Sequence, residues 1–211
     1  EELGLEGYKF VNSTGLNNAN LFGMHPAGTG AADENVMPAK STAKLAYHLL
    51  KDHPEVLETS KITEKTFREG TDDKIEMSNW NFMLPGLVFE YEGVDGLKTG
   101  TTDLAGYCFT GTAERDGTRL IAVVMKAVDS NGVGSYEARF DATAKLFDYG
   151  FGQFKTQELV PANYVVEDQK SIPVTKGKED SVGIATKGDL SFMVKSSDKD
   201  AYTTKLILDV E

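Results

Sequence analysis

Lys98, Thr99 and Gly100 place a cation, a hydroxyl and a position without a side chain consecutively in the stretch Val94-Asp95-Gly96-Leu97-Lys98-Thr99-Gly100-Thr101-Thr102. The Lys98 ammonium is a point charge, the Thr99 hydroxyl a directional donor, and Gly100 lets another backbone come close. On a strand edge this combination suits a small carboxylate. An extended peptide would add along the edge, paired through its backbone, with its terminal carboxylate at the Lys/Thr end. Arg139, at the opening of a later helix, could give the same carboxylate a bidentate grip. Solvation of Lys98, and pairing of Arg139 with Glu137 or Asp141, are the alternatives that these residue types leave open.

The elements that would position these groups lie close by. Gly93 and Gly96 bracket a short strand leading into Lys98. Residues 105–113 and 118–127 are two β-rich runs flanking Glu114-Arg115-Asp116-Gly117, whose Asp-Gly supplies the positive φ of a tight hairpin. The run Leu120-Ile121-Ala122-Val123-Val124-Met125 is continuously apolar, which predicts a strand in the sheet interior with both faces covered. After a Gly-rich loop, residues 136–149 read as an amphipathic helix with Phe140, Ala144, Phe147 and Phe151 on one stripe and Gly150 at its end.

Upstream, residues 1–35 are rich in Gly and Asn, predicting an extended piece near Tyr8-Lys9-Phe10-Val11 and a long irregular loop. From Pro38 the spacing of Ala43, Ala46, Tyr47, Leu49 and Leu50 predicts a helix ending near Asp52, then a helical turn at 55–59 and an extended stretch at 61–67. Arg68 to Lys74 is a charged, solvated turn without the ligand spacing of a calcium loop. Trp80, the single tryptophan, reads as a packing anchor, with Asn79 or Asn81 as a second candidate to line a cleft. Beyond Phe154 the chain breaks into short alternating segments at 159–160, 164–166, 172–174, 182–184, 190–194 and 203–210, predicting a β-rich module. We therefore place a boundary between residues 1–154 and 155–211, the second module being too short for a full core.

Composition narrows the function. A net charge of −11 without a basic stripe argues against nucleic acid as a partner. No apolar run approaches the roughly 20 residues of a membrane span, and no signal peptide opens the chain. Cys108 is alone and sits in an apolar run, so it reads as a small buried hydrophobe. His25, His48 and His53 have no metal-ligand spacing, so neither metal nor cofactor is expected.

Residues 94–107, VDGLKTGTTDLAGY, resemble the third motif region of the D-alanyl-D-alanine carboxypeptidases, the low-molecular-mass penicillin-binding proteins. The Leu3-Gly4-Leu5 and Thr14-Gly15-Leu16 segments, the helix after Pro38, the Asn81 segment, the hairpin, and Arg139 through Gly150-Phe151 follow in that family's order, closest to Gram-positive members. The resemblance implies a serine acyl-enzyme that removes the terminal D-alanine of peptidoglycan pentapeptide and binds β-lactams. It implies an antiparallel sheet packed with helices, in an α/β transpeptidase-like domain followed by a small all-β module. It also implies an extracytoplasmic place, membrane-associated in the full-length protein. By this likeness Lys98 serves the electrostatics of the serine site and binds substrate, Thr99 and Arg139 take the carboxylate, and the Thr101 N–H donates to the oxyanion.

The chain departs from the family at the other two motifs. No Ser-x-Asn occurs anywhere in it. Ser41-Thr42-Ala43-Lys44 matches Ser-x-x-Lys, yet it precedes Lys98 by only 98 − 41 = 57 positions and sits on a helix that is not catalytic in the family; Ser196-Ser197-Asp198-Lys199 falls in the β module. The expectation is a C-terminal portion of such an enzyme, inactive alone, whose exposed apolar face is covered by the missing N-terminal part or by self-association. A β-lactamase-like hydrolase and a non-catalytic cell-wall peptide-binding module are the other readings.

Overall fold

The computed structural model describes residues 2–205 and 207, and two compact units divide the chain, Glu1–Tyr149 and Gly150–Glu211. The first is organised on a three-stranded antiparallel sheet of β3 (Val94–Thr102), β4 (Gly106–Arg115) and β5 (Thr118–Ala127), in the order β3-β4-β5. Asp116 and Gly117, at φ 49° and 72°, close the β4–β5 turn, positive φ at both central positions being what a type I′ hairpin turn needs. Among the described residues both outer strands have one neighbour each, which leaves β3 with a free edge along Lys98 to Thr102.

That arrangement corrects the reading of the apolar run Leu120–Met125. It is an edge strand of this sheet, packed by α1 (Ala39–Asp52), with Ala122 and Val124 buried while Leu120, Ile121 and Val123 stay half-buried and Met125 exposed. An apolar run reports that a surface is to be covered, without saying by what.

The helix α3 (Tyr136–Gln153) passes through Gly150 instead of ending there. Its buried stripe is Arg139, Phe140, Thr143 and Phe147, one turn apart in pairs, and Ala144 and Phe151 are only half-buried. Phe140 is the hub of the core: its ring lies 5.4 Å from Phe109 on β4, 5.4 Å from Phe89 and 5.9 Å from Phe82. Phe109 and Phe140 are fully buried, and Phe82 and Phe89 half-buried, so the cluster joins α3 to the sheet and to the segment before β3. Gly111 permits the close approach of helix to sheet, because a Cβ there would meet Phe109 Cε1 at 2.7 Å and Thr143 Cγ2 at 3.2 Å.

Pro38 precedes α1 in an extended conformation, and the helix buries Ser41, Ala46 and Leu50; Tyr47 is exposed. Helix α2 (Val56–Ser60) follows, then the hairpin of β1 (Glu64–Phe67) and β2 (Ile75–Ser78), joined by the charged turn. Strand β2 was not apparent in the sequence, because all four of its residues are exposed and no buried face imprints a pattern. At the N-terminus the extended piece forms a single bridge, Lys9 to Val36.

In the second unit β6 (Phe154–Val160) pairs with β9 (Leu190–Lys195), and β7 (Ser171–Pro173) with β8 (Ser181–Gly183). Val160 and Val194 are its buried apolar side chains among the described residues. Residues 164–166 are not a strand, contrary to their alternating pattern: the Thr186 N–H donates to the Tyr164 carbonyl, and the Tyr164 N–H donates to Thr186 Oγ1. Of the expected strand at 203–210, residues 203–205 and 207 carry no regular structure, and the remainder lies outside the described residues.

Candidate functional site

The free edge of β3 presents Lys98, Thr99, Gly100 and Thr101 beside the first turn of α3. Lys98 is exposed and its Nζ donates to the Thr99 carbonyl, so its charge lies along the edge. A Cβ added at Gly100 would meet nothing within 4 Å, which leaves that stretch of backbone open to an incoming chain.

Arg139 is 3% exposed. Its Nη1 donates to Thr101 Oγ1 at 3.4 Å, its Nε is buried without a partner, and its guanidinium carbon lies 4.8 Å from the Phe140 ring and 5.8 Å from the Tyr107 ring. Neither Glu137 nor Asp141 pairs with it, and no carboxylate does so among the described residues. Desolvation pulls its pKa below the usual guanidinium value. A buried cation held only by ring faces and one long hydrogen bond is a strong attractor for an anion, which would supply both the charge and the missing acceptors.

With Trp80, these residues line a cavity of about 320 Å³. Trp80 is 68% exposed and therefore not the packing anchor expected of a lone tryptophan. The adjacent amides hold it in place: Asn79 Nδ2 donates to the Ser60 and Ile62 carbonyls at 3.0 and 2.9 Å, and Asn79 Oδ1 accepts the Asn81 N–H at 2.9 Å. Asn81, 1% exposed, donates from Nδ2 to the Gly96 carbonyl at 3.3 Å and accepts the Met83 N–H at 3.2 Å. The two asparagines thus fix a loop against β3 and do not line the cleft with free amides. The signal for Trp80 in the sequence was the Asn-Trp-Asn pattern itself, a side chain bracketed by two groups that demand partners.

On the α1 side of the sheet a second, apolar cleft of about 340 Å³ runs between Leu45, Leu49, Val123 and Met125, reaching Lys98 and Gly100. Cys108 lines it, half-buried, its Sγ donating to the Ala105 carbonyl.

The two Ser-x-x-Lys matches are engaged elsewhere. Ser41 Oγ donates to the Glu6 carbonyl at 2.7 Å and accepts the Glu6 N–H at 3.0 Å, while Lys44 Nζ donates to the Gly4 carbonyl at 2.8 Å. They tie the N-terminal segment to α1. Ser197, in a 3-10 turn at Ser196–Ala201, donates to Asp198 Oδ1.

Residues 1–129 match the family model of D-alanyl-D-alanine carboxypeptidase, and residues 154–211 that of the penicillin-binding protein 5 C-terminal domain. The chain is 31% identical over 198 residues to the D-alanyl-D-alanine carboxypeptidase DacF of Bacillus subtilis, covering 94% of this chain and 44% of that protein. To DacA of Haemophilus influenzae it is 34% identical over 165 residues, 77% of this chain and 37% of that protein. The chain therefore spans less than half the length of these relatives. Among solved structures, a peptidoglycan synthesis regulatory factor (PBP3) from Streptococcus pneumoniae superposes with a TM-score of 0.76 at 36% identity, covering 92% of this chain and 52% of that one. An ampicillin-bound penicillin-binding protein from Listeria monocytogenes gives a TM-score of 0.55 at 36% identity, over 71% and 51% of the two chains. Among the described residues no helix is long and apolar enough to cross a membrane.

Proposed function

Because this chain belongs to the D-alanyl-D-alanine carboxypeptidase family, we propose that it forms the carboxylate-binding wall of a serine enzyme that removes the terminal D-alanine from peptidoglycan stem peptides. The observation that carries this reading is Arg139, a buried guanidinium with no carboxylate partner among the described residues, at the free edge of β3. A stem peptide lying along β3 places its terminal carboxylate between Arg139, Thr99 and Lys98. A β-lactam, which bears a carboxylate beside its reactive carbonyl, enters the same way.

In this reading Lys98 holds positive potential at the reacting carbonyl, and the Thr101 N–H donates to the developing oxyanion. One such donor is typically worth ~3–4 kcal/mol of transition-state stabilisation. The edge position of β3 and the open backbone at Gly100 give the peptide its β-pairing partner. Ser41 and Lys44 are occupied with Glu6 and Gly4, so nucleophile and general base come from outside these residues and the chain alone does not turn over. The apolar cleft between α1 and the sheet is where the missing part of the catalytic domain, or a second copy, would pack. Residues 1–154 then belong to the catalytic domain and 155–211 to its β-rich companion, in a protein that works outside the cytoplasm at the cell membrane.

Fluorescent penicillin followed by denaturing electrophoresis, run beside calorimetric binding of acetyl-D-Ala-D-Ala, tests this assignment. The expected result is no covalent label on the chain, peptide binding to the wild type, and loss of that binding in Arg139→Ala. Covalent label on Ser41 would overturn it.

A further inference from the structure

Trp80 is the one large aromatic side chain in the carboxylate cavity, and the fold goes to some expense to display it. Burying Asn81 needs its amide satisfied on both sides, and the bonds to Gly96 and Met83 do this, while Asn79 anchors the preceding residue to Ser60 and Ile62. Between these clamps the indole projects 68% exposed. It is steadied by Phe82, 6.1 Å away and tilted by 43°, which in turn packs on Phe140. An exposed tryptophan on a rigid backbone, beside a cation that lacks its anion, is the arrangement of a binding anchor: large apolar area, little side-chain entropy left to lose.

The geometry points to Trp80 as the specificity-determining residue of this site, the wall against which the substituent next to the bound carboxylate packs. Lys98, Thr99 and Arg139 recognise any carboxylate. Among the lining residues the indole is the one large apolar surface. The ligand class it favours is therefore a peptide ending in a residue with a small apolar side group, over one ending in glycine. This assignment rests on the carboxylate reading of the site.

As the chain contains a single tryptophan, its emission reports this position alone. Acetyl-D-Ala-D-Ala, acetyl-D-Ala-Gly and the carboxamide of the first are titrated into the 211-residue chain, followed by fluorescence and by calorimetry. The alanine-ended peptide is expected to change the Trp80 emission and to bind more tightly than the glycine-ended one, and the carboxamide to do neither. Trp80→Ala is expected to weaken the alanine-ended peptide roughly fivefold, leaving the glycine-ended peptide unchanged, and Trp80→Phe to restore most of the difference. Binding that is lost in Arg139→Ala but indifferent to Trp80→Ala overturns the role of Trp80 and leaves the carboxylate site standing. If neither peptide binds the wild-type chain, both readings fall.

Discussion

Arg139 Nη1 lies 3.4 Å from Thr101 Oγ1, a long hydrogen bond, while the Nε of the same guanidinium is buried with no partner. A cation in that state destabilises the fold that holds it, because its lost hydration is not replaced. Desolvation depresses its pKa for the same reason. Arg139→Met keeps an unbranched apolar stem against Phe140 and removes the charge. It is expected to raise the melting temperature by about 2–5 °C and to weaken acetyl-D-Ala-D-Ala by ~30-fold or more. A variant that melts lower than the wild type and binds the peptide equally well would remove Arg139 from the site.

Arg119 on β5 reaches across β4 to Asp95 on β3, with Nη1 to Oδ1 at 2.8 Å and Nη2 to Oδ2 at 2.9 Å. It also donates to Thr112 and Glu114. Its hydrogen bonding to Asp95 is the main cause that raises its pKa, against the opposing effect of burial. This bidentate pair fixes the strand that bears Lys98, so Arg119→Ala is expected to cost about 1–2 kcal/mol in urea unfolding, and Arg119→Lys nearly as much, since an ammonium cannot grip both oxygens. Equal stability of wild type and Arg119→Lys would show that charge alone matters.

Gly93 sets the start of β3 at φ 86°, and a Cβ there would meet the Glu114 carbonyl oxygen at 2.4 Å. That oxygen is backbone, held in the β4 strand, and cannot swing away. Gly93→Ala is therefore expected to lose roughly 2 kcal/mol or more by thermal unfolding, from strain and clash together. A loss within a few tenths of a kcal/mol would mean that the strand entry yields.

Much of the candidate site is legible in the sequence because it is contiguous. Lys98 to Thr101 occupy one strand, and the Asp116-Gly117 turn that pairs β4 with β5 writes its requirement for positive φ into its residue types. What escaped were features decided by the third dimension. Leu120 to Met125 predicts burial, but only the sheet order reveals an edge; Trp80 predicts packing, but its exposure depends on where the two flanking asparagines find their partners. Strand β2 left no trace because nothing on it is buried. For Arg139 the residues left an ion pair with Glu137 or Asp141 open, and the family resemblance gave it the carboxylate.

Asp129 Oδ1 accepts the N–H groups of Asn131 and Val133 at 2.8 and 2.9 Å, shaping the loop that leads into α3. The Val133 bond, then the Asn131 bond, hold its pKa below the ordinary 3.8. The folded carboxyl thus binds its proton less readily than the unfolded one. Its stabilising contribution is present above the unfolded pKa and disappears as pH falls through the lower, folded value. The difference in melting temperature between wild type and Asp129→Ala is expected to be constant at neutral pH and to shrink below 3.8. A gap that holds unchanged into the acid range would assign the loop's stability to something other than the ionised carboxylate.

Ser41 Oγ both donates to and accepts from the backbone of Glu6, and the side chain is 3% exposed. A buried hydroxyl whose proton is committed to the Glu6 carbonyl is neither hydrogen-bonded to a base nor open to a carbonyl substrate. Ser41→Ala removes the two bonds and leaves a backbone N–H and C=O short of partners, which should cost about 1–3 kcal/mol. The N-terminal segment should loosen with it, seen as faster amide exchange in residues 4–7. Affinity for acetyl-D-Ala-D-Ala should not move, because Ser41 lies outside the cavity lined by Trp80, Lys98 and Arg139. A penicillin label present on the wild-type chain and lost from Ser41→Ala, with melting temperature unchanged, would instead make Ser41 the nucleophile.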